Sequence, residues 1–238
     1  MLPARWYGLM SIGGRALLPD LVVAVLAAGA SRRLGRAKQL VPIGGEPLLR
    51  RQCRCALSAE VGEVLAILGC DEVQHREVIV DLPVEVRVAN QWKEGLAATL
   101  RSAVRAAKER QAALLVLPCD QYRIIPDDLR TLYDHWRWTP SIACVSRWGR
   151  YAGPPAILPI HYYDDVLRLR GDIGARSLLY DIRRPRPDEI PNPRATFDLD
   201  SPEEMRIAEA WGSSQVSRRN CDEKSARASH RDYRPHSR

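Results

Sequence analysis

Asp120 stands just past the most apolar run of the chain, Ala112-Ala113-Leu114-Leu115-Val116-Leu117. A carboxylate there is expensive unless something pairs with it, so it either caps local backbone N–H groups or holds a divalent cation. The late triplet Asp198-Leu199-Asp200 strengthens the second reading. Period-two spacing predicts both of its carboxylates on one side of a strand, although Asp200 could instead only assist a helix cap at Ser201. Magnesium takes one or two carboxylates and completes its shell with phosphate oxygens and water. A phosphate would be met by the stretch from Leu26 to Lys38, LAAGASRRLGRAK. Its small residues let backbone come close, Gly29 and Gly35 permit turns, and Arg32, Arg33, Arg36 and Lys38 follow. Backbone N–H groups plus fixed positive charge suit a triphosphate. The plainer reading is a βα loop with a solvated basic face.

These groups need elements to carry them. Leu21-Val22-Val23-Ala24-Val25 predicts a buried parallel strand feeding the basic loop. Residues 63–68, 84–88, 112–117 and 141–145 predict further strands, and 195–200 the last. The Gly- and Pro-rich stretch 148–159 predicts an exposed functional loop, with a short strand at 156–158. Helices are expected at 48–57, after an Asp71 cap, from 96 to 110, from Pro126, at 162–169 and at 175–180. Ser201-Pro202-Glu203-Glu204 starts a closing helix with a Ser cap, an early Pro and acids against the dipole. The alternation argues for an α/β fold, a single Rossmann-like three-layer domain with a mostly parallel mixed sheet over residues 21–212. A loose extension (1–20) precedes it and a disordered basic tail (213–238) follows. Ligands of open α/β sheets gather outside the carboxyl ends of the strands. That rule brings the loops 29–38, 90–99 and 118–121 to one edge.

The net charge of +7 over 238 residues invites a nucleic-acid reading, yet four of those charges lie beyond residue 212. The body is only mildly basic, which fits polyanionic small molecules. Six cysteines without a CxxC pair and five dispersed histidines predict reduced thiols in a cytoplasmic protein without a structural zinc site. No run is long enough to span a membrane, and the first twenty residues lack the apolar core of a signal peptide. No nucleic-acid or membrane partner is expected.

The stretch LAAGASRRLGRAK resembles the L-A-A-G-x-S-x-R-M-G-x-x-K signature of the MobA-like nucleotidyltransferases, with Leu34 for Met. Within them it is most similar to the molybdenum cofactor cytidylyltransferase (MocA-type) branch. It matches neither the Walker loop nor the dinucleotide fingerprint. Leu117-Pro118-Cys119-Asp120-Gln121 resembles the family's L-x-D-D-Q-P turn, whose second Asp binds Mg²⁺. Phe197 to Glu204 is similar to its D-I-D-T-P-E-D ending. The loop from Asn90 through Trp92 and Gly95 to Leu100 is similar to N-x-x-W-x-x-G-M-x-x-S-L, associated with nucleotide recognition. Gly153-Pro154-Pro155 and Gly171-Asp172-Ile173-Gly174-Ala175 resemble acceptor-side segments. The matches keep the family's order over residues 22–210. The departures are Cys119 and Tyr122, which turn DDQP into CDQY, and the milder Thr99.

The resemblance implies nucleotidyl transfer. Arg33, Lys38 and Asp120 are the catalytic candidates, with Asp120 and Asp200 holding Mg²⁺. Leu26, Ala27, Ala28, Gly29, Ser31, Gly35, Asn90, Gly95 and Thr99 are expected at the nucleotide, and Gly153, Pro155, Gly171, Asp172 and Gly174 at the acceptor. The implied reaction moves CMP from CTP onto the phosphate of a molybdopterin-type cofactor. A molybdenum hydroxylase or its maturation factor is the implied partner. Cytidine is favoured by LAAG, where the guanylyl-transferring branch usually has LAGG. GTP, another phosphorylated acceptor such as a sugar phosphate or phospholactate, and a non-catalytic cofactor-delivery role suggested by CDQY stand as alternatives.

Overall fold

A computed structural model of the chain describes residues 20–215. The expected N-terminal extension, apart from Asp20, lies outside the described residues, as does the tail beyond residue 215 with Cys221.

The centre is a seven-stranded sheet. Its strands are β1 (Leu21–Ala27), β4 (Glu63–Leu68), β5 (Glu85–Val88), β6 (Ala113–Pro118), β7 (Cys144–Trp148), β8 (Tyr151–Leu158) and β9 (Asp188–Pro191). A two-stranded ribbon of β2 (Pro42–Ile43) and β3 (Glu46–Pro47) stands apart from it. The order is β5-β4-β1-β6-β8-β7-β9. β8 alone runs against its neighbours β6 and β7, and the remaining neighbours pair in parallel. The sheet is therefore mixed and mostly parallel, as expected.

Alternate residues of β1 serve two cores. Leu21, Val23, Val25 and Ala27 pack with α1 (Leu48–Ala59), α4 (Pro126–Trp136) and a closing helix at 202–215. Val22 and Ala24 face α3 (Leu96–Glu109) and α5 (Tyr163–Val166) on the other side. Burial on both faces is why the parallel strands read as continuous apolar runs. Two short helices, α2 (Glu72–Glu77) and α6 (Arg176–Leu179), complete the set.

Four expectations need correction. The 148–159 loop is a β-hairpin, with β8 extending from Tyr151 to Leu158. Its prolines are tolerated because the register slips from Val145–Ala156 to Ser146–Gly153, leaving Pro154 and Pro155 outside the ladder. Residues 195–200 form no strand. Asn192 accepts from the Arg194 N–H at 3.2 Å and opens a 3-10 turn, Pro193–Thr196. Ala195 and Leu199 are then buried without a ladder, and the strand at this edge of the sheet is the earlier β9. Asp71 does not cap α2: at φ +50° its side chain makes no cap bond and instead accepts from the Cys70 thiol at 3.3 Å. The closing helix runs through residue 215, past the boundary drawn at Gly212. Gly212 sits within it because a Cβ there would collide with the Gly44 backbone.

Among the described residues no helix is long and apolar enough to cross a membrane. The five described cysteines are free.

Candidate functional site

Beyond the carboxyl ends of β1, β5 and β6 lies a cleft of about 810 Å³. Its first wall is the basic loop after β1. Ser31 takes a left-handed φ of +51°, and Gly35 one of +72°. The Ser31 carbonyl accepts from the N–H groups of Leu34 (3.0 Å) and Gly35 (3.2 Å). Its hydroxyl accepts from the Lys38 N–H at 3.0 Å and donates to Gln39 Oε1 at 3.2 Å. Gln39 is buried, and its amide donates to the carbonyls of Ala27 (3.0 Å) and Gly29 (2.7 Å). The loop is thus closed on itself by side chains, and Lys38 leaves it at a fixed point.

That point lies between two carboxylates. Lys38 Nζ donates to Asp120 Oδ2 at 2.6 Å and to Asp200 Oδ1 at 2.9 Å. Arg33 Nη1 lies 3.5 Å from Asp200 Oδ2 and is otherwise exposed. Backbone pairing explains the meeting. The Leu199 N–H donates to the Asp120 carbonyl at 3.1 Å, so the residue after Leu199 falls beside Asp120. Glu204 then fixes Asp200 from behind, accepting from its N–H at 2.9 Å and from the Ser201 N–H at 2.8 Å. The Ser201 hydroxyl accepts from the Glu204 N–H at 3.3 Å, completing a capping box. Ser201 and Glu204 do the capping, which leaves the Asp200 carboxylate to the cleft.

Charge is concentrated here. Burial opposes the Lys38 ammonium, yet Asp120 and Asp200 outweigh it and raise its pKa. For Asp200, burial opposes ionisation, and Lys38 and Arg33 reverse it and lower the pKa. Asp198 also lines the cleft. Burial first, then the Asp120 and Asp200 charges, push it up to about 7. Its folded-state pKa exceeds the unfolded value, so stability falls as pH rises from about 4 to 7 and the penalty is complete above 7. Asp198 is exposed, so solvent screens much of this penalty, and Asp198→Asn is expected to raise the melting temperature only slightly, by ~1 °C, at pH 8 with EDTA and to have a smaller effect at pH 4.5. Thermal unfolding at the two pH values checks this.

Among the described residues no group of three or more His, Cys, Asp or Glu is arranged to hold an ion alone. Two convergent carboxylates already gripping one cation fit a hard divalent ion whose other ligands come from phosphate and water.

Of the nucleotide candidates, Leu26, Ala28, Gly29, Ser31, Gly95 and Thr99 line the cleft. Ala27 is buried beneath it, bonded to Gln39; Gly35 serves the turn; Asn90 is exposed, and neither Gly35 nor Asn90 lines the cleft. On the acceptor side Gly153 and Asp172 line it. Pro155 gives way to its neighbour Pro154, Gly171 packs behind Gly95, and Gly174 borders a shallower depression with Asp172 and Arg176. The CDQY departure is a matter of packing. Cys119 is buried, its thiol pushed well up by that burial, and Tyr122 stands edge-on to Phe197 and Trp211. Gln121 donates to the carbonyls of Pro154 and Ala195, both at 3.0 Å, and so ties the Asp120 turn to β8 and to the 3-10 turn.

The chain matches the model of the MobA-like NTP transferase domain over residues 23–186. It belongs to that family. The matched stretch holds the basic loop and Asp120 and stops short of Asp198 and Asp200, so the second carboxylate is read from the geometry. Among relatives of this MobA-like chain, the purine catabolism protein PucB of Bacillus subtilis (strain 168) is 28% identical over 172 residues, 68% of this chain and 81% of PucB. The crystal structure of Rv0371c from Mycobacterium tuberculosis H37Rv superposes with a TM-score of 0.70 at 26% identity, covering 81% of this chain and 99% of that one. A nucleotidyl transferase from Methanothermobacter thermautotroptrophicus shares the fold, with a TM-score of 0.66 at 24% identity over 82% and 98% of the two chains.

Trp148, Tyr151 and Arg176, which sequence reasoning did not single out, also line the cleft. Trp148 and Tyr151 fall within the 148–159 stretch expected to be functional, whereas nothing in the sequence pointed to Arg176.

Proposed function

We propose that this protein transfers CMP from CTP to the phosphate of a molybdopterin-type cofactor and releases pyrophosphate. The convergence of Lys38, Asp120 and Asp200 in one cleft, from three distant parts of the chain, carries the reading.

An oxygen of the acceptor phosphate attacks the α-phosphorus of the nucleotide. The bond from that phosphorus to the bridging oxygen breaks in line, and the electron pair leaves with pyrophosphate. No general base is needed, because a phosphate monoester is already anionic near neutral pH. Arg33 and Lys38 hold the β- and γ-phosphates, where negative charge grows as pyrophosphate departs. N–H groups of Ala28 to Ala30 lie along the nucleotide site. Asp120 and Asp200 would hold Mg²⁺, which would supply positive charge to offset that of the phosphates. Rv0371c has also been solved as a complex with manganese. Ala28, where the guanylyl-transferring branch usually has Gly, supports cytidine; its methyl is buried against Gly69 at the base of the cleft wall. The product would pass to a molybdenum hydroxylase or its maturation factor in the cytoplasm.

Pyrophosphate release, assayed with each of the four NTPs and Mg²⁺ against molybdopterin cofactor, a sugar phosphate and phospholactate, tests this. CTP with the molybdopterin acceptor is expected to be fastest. A GTP or sugar-phosphate preference redirects the specificity, and tight nucleotide binding without pyrophosphate release makes the protein a carrier.

A further inference from the structure

Two loops frame the mouth of the cleft, the 90–99 loop on the nucleotide side and the 169–174 loop on the acceptor side. One buried guanidinium joins them. Arg101 lies in α3 with its side chain 3% exposed. Its Nη1 donates to Glu94 Oε1 at 2.9 Å and to the Leu169 carbonyl at 2.7 Å. Its Nη2 donates to Glu94 Oε2 at 2.5 Å and to Gln91 Oε1 at 3.1 Å. Glu94 passes the link on by accepting from the Gly171 N–H at 3.1 Å.

The return bonds run the other way. The Ala97 N–H donates to the Gly171 carbonyl at 3.1 Å, and the Leu96 N–H donates to Asp172 Oδ1 at 3.2 Å. The start of α3 is thus capped by a residue of the opposite loop, since Gly95 has no side chain to cap it. Gly95, at φ +120°, leaves the loops in direct contact: a Cβ there would lie 2.8 Å from the Gly171 carbonyl and the Asp172 nitrogen. Gly95, Leu96 and Asp172 also line the cleft, so this seam reaches its wall.

We propose that Arg101 is a positioning residue that makes the nucleotide loop and the acceptor loop one rigid unit, so that filling the nucleotide side steadies the acceptor side. The weld is a property of the fold; its second half rests on the nucleotidyl-transfer reading. A planar fork is required, because only a guanidinium reaches both Glu94 oxygens, the Gln91 side chain and the Leu169 carbonyl together. A lysine keeps the buried charge opposite Glu94 and loses the fork. Arg101→Lys is therefore the informative variant, and Glu94→Gln, which weakens the pair without leaving an unpaired buried carboxylate, is the second.

Amide hydrogen exchange on the full chain tests the proposal in two arms, with circular dichroism and melting curves verifying that both variants fold. In nucleotide-free protein, exchange over residues 169–174 is expected to rise roughly 10-fold or more in Arg101→Lys, the scale of one lost charge-assisted hydrogen bond. With saturating CTP and Mg²⁺, wild type is expected to gain protection over 169–174. Arg101→Lys should lose that gain while binding CTP within about threefold of wild type, a result that general destabilisation would not produce. Unchanged exchange over 169–174 in both variants without nucleotide overturns the weld. Equal CTP-induced protection in wild type and Arg101→Lys overturns the transmission. If wild type binds no NTP while the first arm shows the rise, the weld stands and the nucleotidyl-transfer reading is what fails.

Discussion

Asp120→Ala is expected to lower the rate of pyrophosphate release on the order of 10²–10³-fold with the fold intact, the usual loss when one preorganised charged group leaves a phosphoryl site. Folding should survive because the bonds that shape this turn are backbone bonds: the Asp120 carbonyl accepts from Leu199 and Tyr122 whatever the side chain. Lys38 keeps Asp200 at 2.9 Å as a partner. Circular dichroism and a melting curve establish the fold, and turnover with CTP and Mg²⁺ gives the rate. Near wild-type turnover in the folded variant would remove Asp120 from the mechanism.

Lys38→Met is expected to have an effect of similar size on turnover, about 10²–10³-fold, since on the proposed reading it takes a cation away from the phosphates. A second measurement separates its two duties. In the nucleotide-free protein the Lys38 ammonium occupies the space between Asp120 and Asp200, which is where a divalent ion would have to bind. Without it Asp120 loses its cation and Asp200 keeps only Arg33, at 3.5 Å. Mn²⁺ titrated alone, followed by electron paramagnetic resonance, should therefore bind Lys38→Met more tightly than wild type. Weaker Mn²⁺ binding in the variant would mean that Lys38 supports the metal site and does not compete for it.

The apolar parallel strands were legible in the sequence because each is buried on both faces and reads as an unbroken run, as in β1 and β6. The basic loop was legible through its resemblance to the family signature, since small residues followed by cations after a strand also suit a solvated βα loop. The features that escaped depend on partners far away in the chain. Pro154 and Pro155 argue against a strand until the bulge opposite Ser146 exempts them from the ladder. The apolar alternation Ala195, Phe197, Leu199 mimics a strand, yet Ala195 and Leu199 are buried and Phe197 half-buried by a turn and one long-range bond to Asp120. Asp198 and Asp200 were predicted to share a strand face; they reach one cleft by this other route. Gln39 and Arg101 look like ordinary polar residues of a loop and a helix. Only the fold shows that one closes the basic loop and the other spans two walls of the cleft.

On the proposed reading Asp120, Asp200 and Lys38 together form one nucleotide and metal site. Calorimetric titration of CTP into wild type, Asp120→Asn and Asp200→Asn, each with Mg²⁺ and with EDTA, tests it most directly. Mg²⁺ is expected to strengthen CTP binding in wild type, and either substitution is expected to abolish this gain. CTP binding that Mg²⁺ strengthens equally in all three proteins would contradict it.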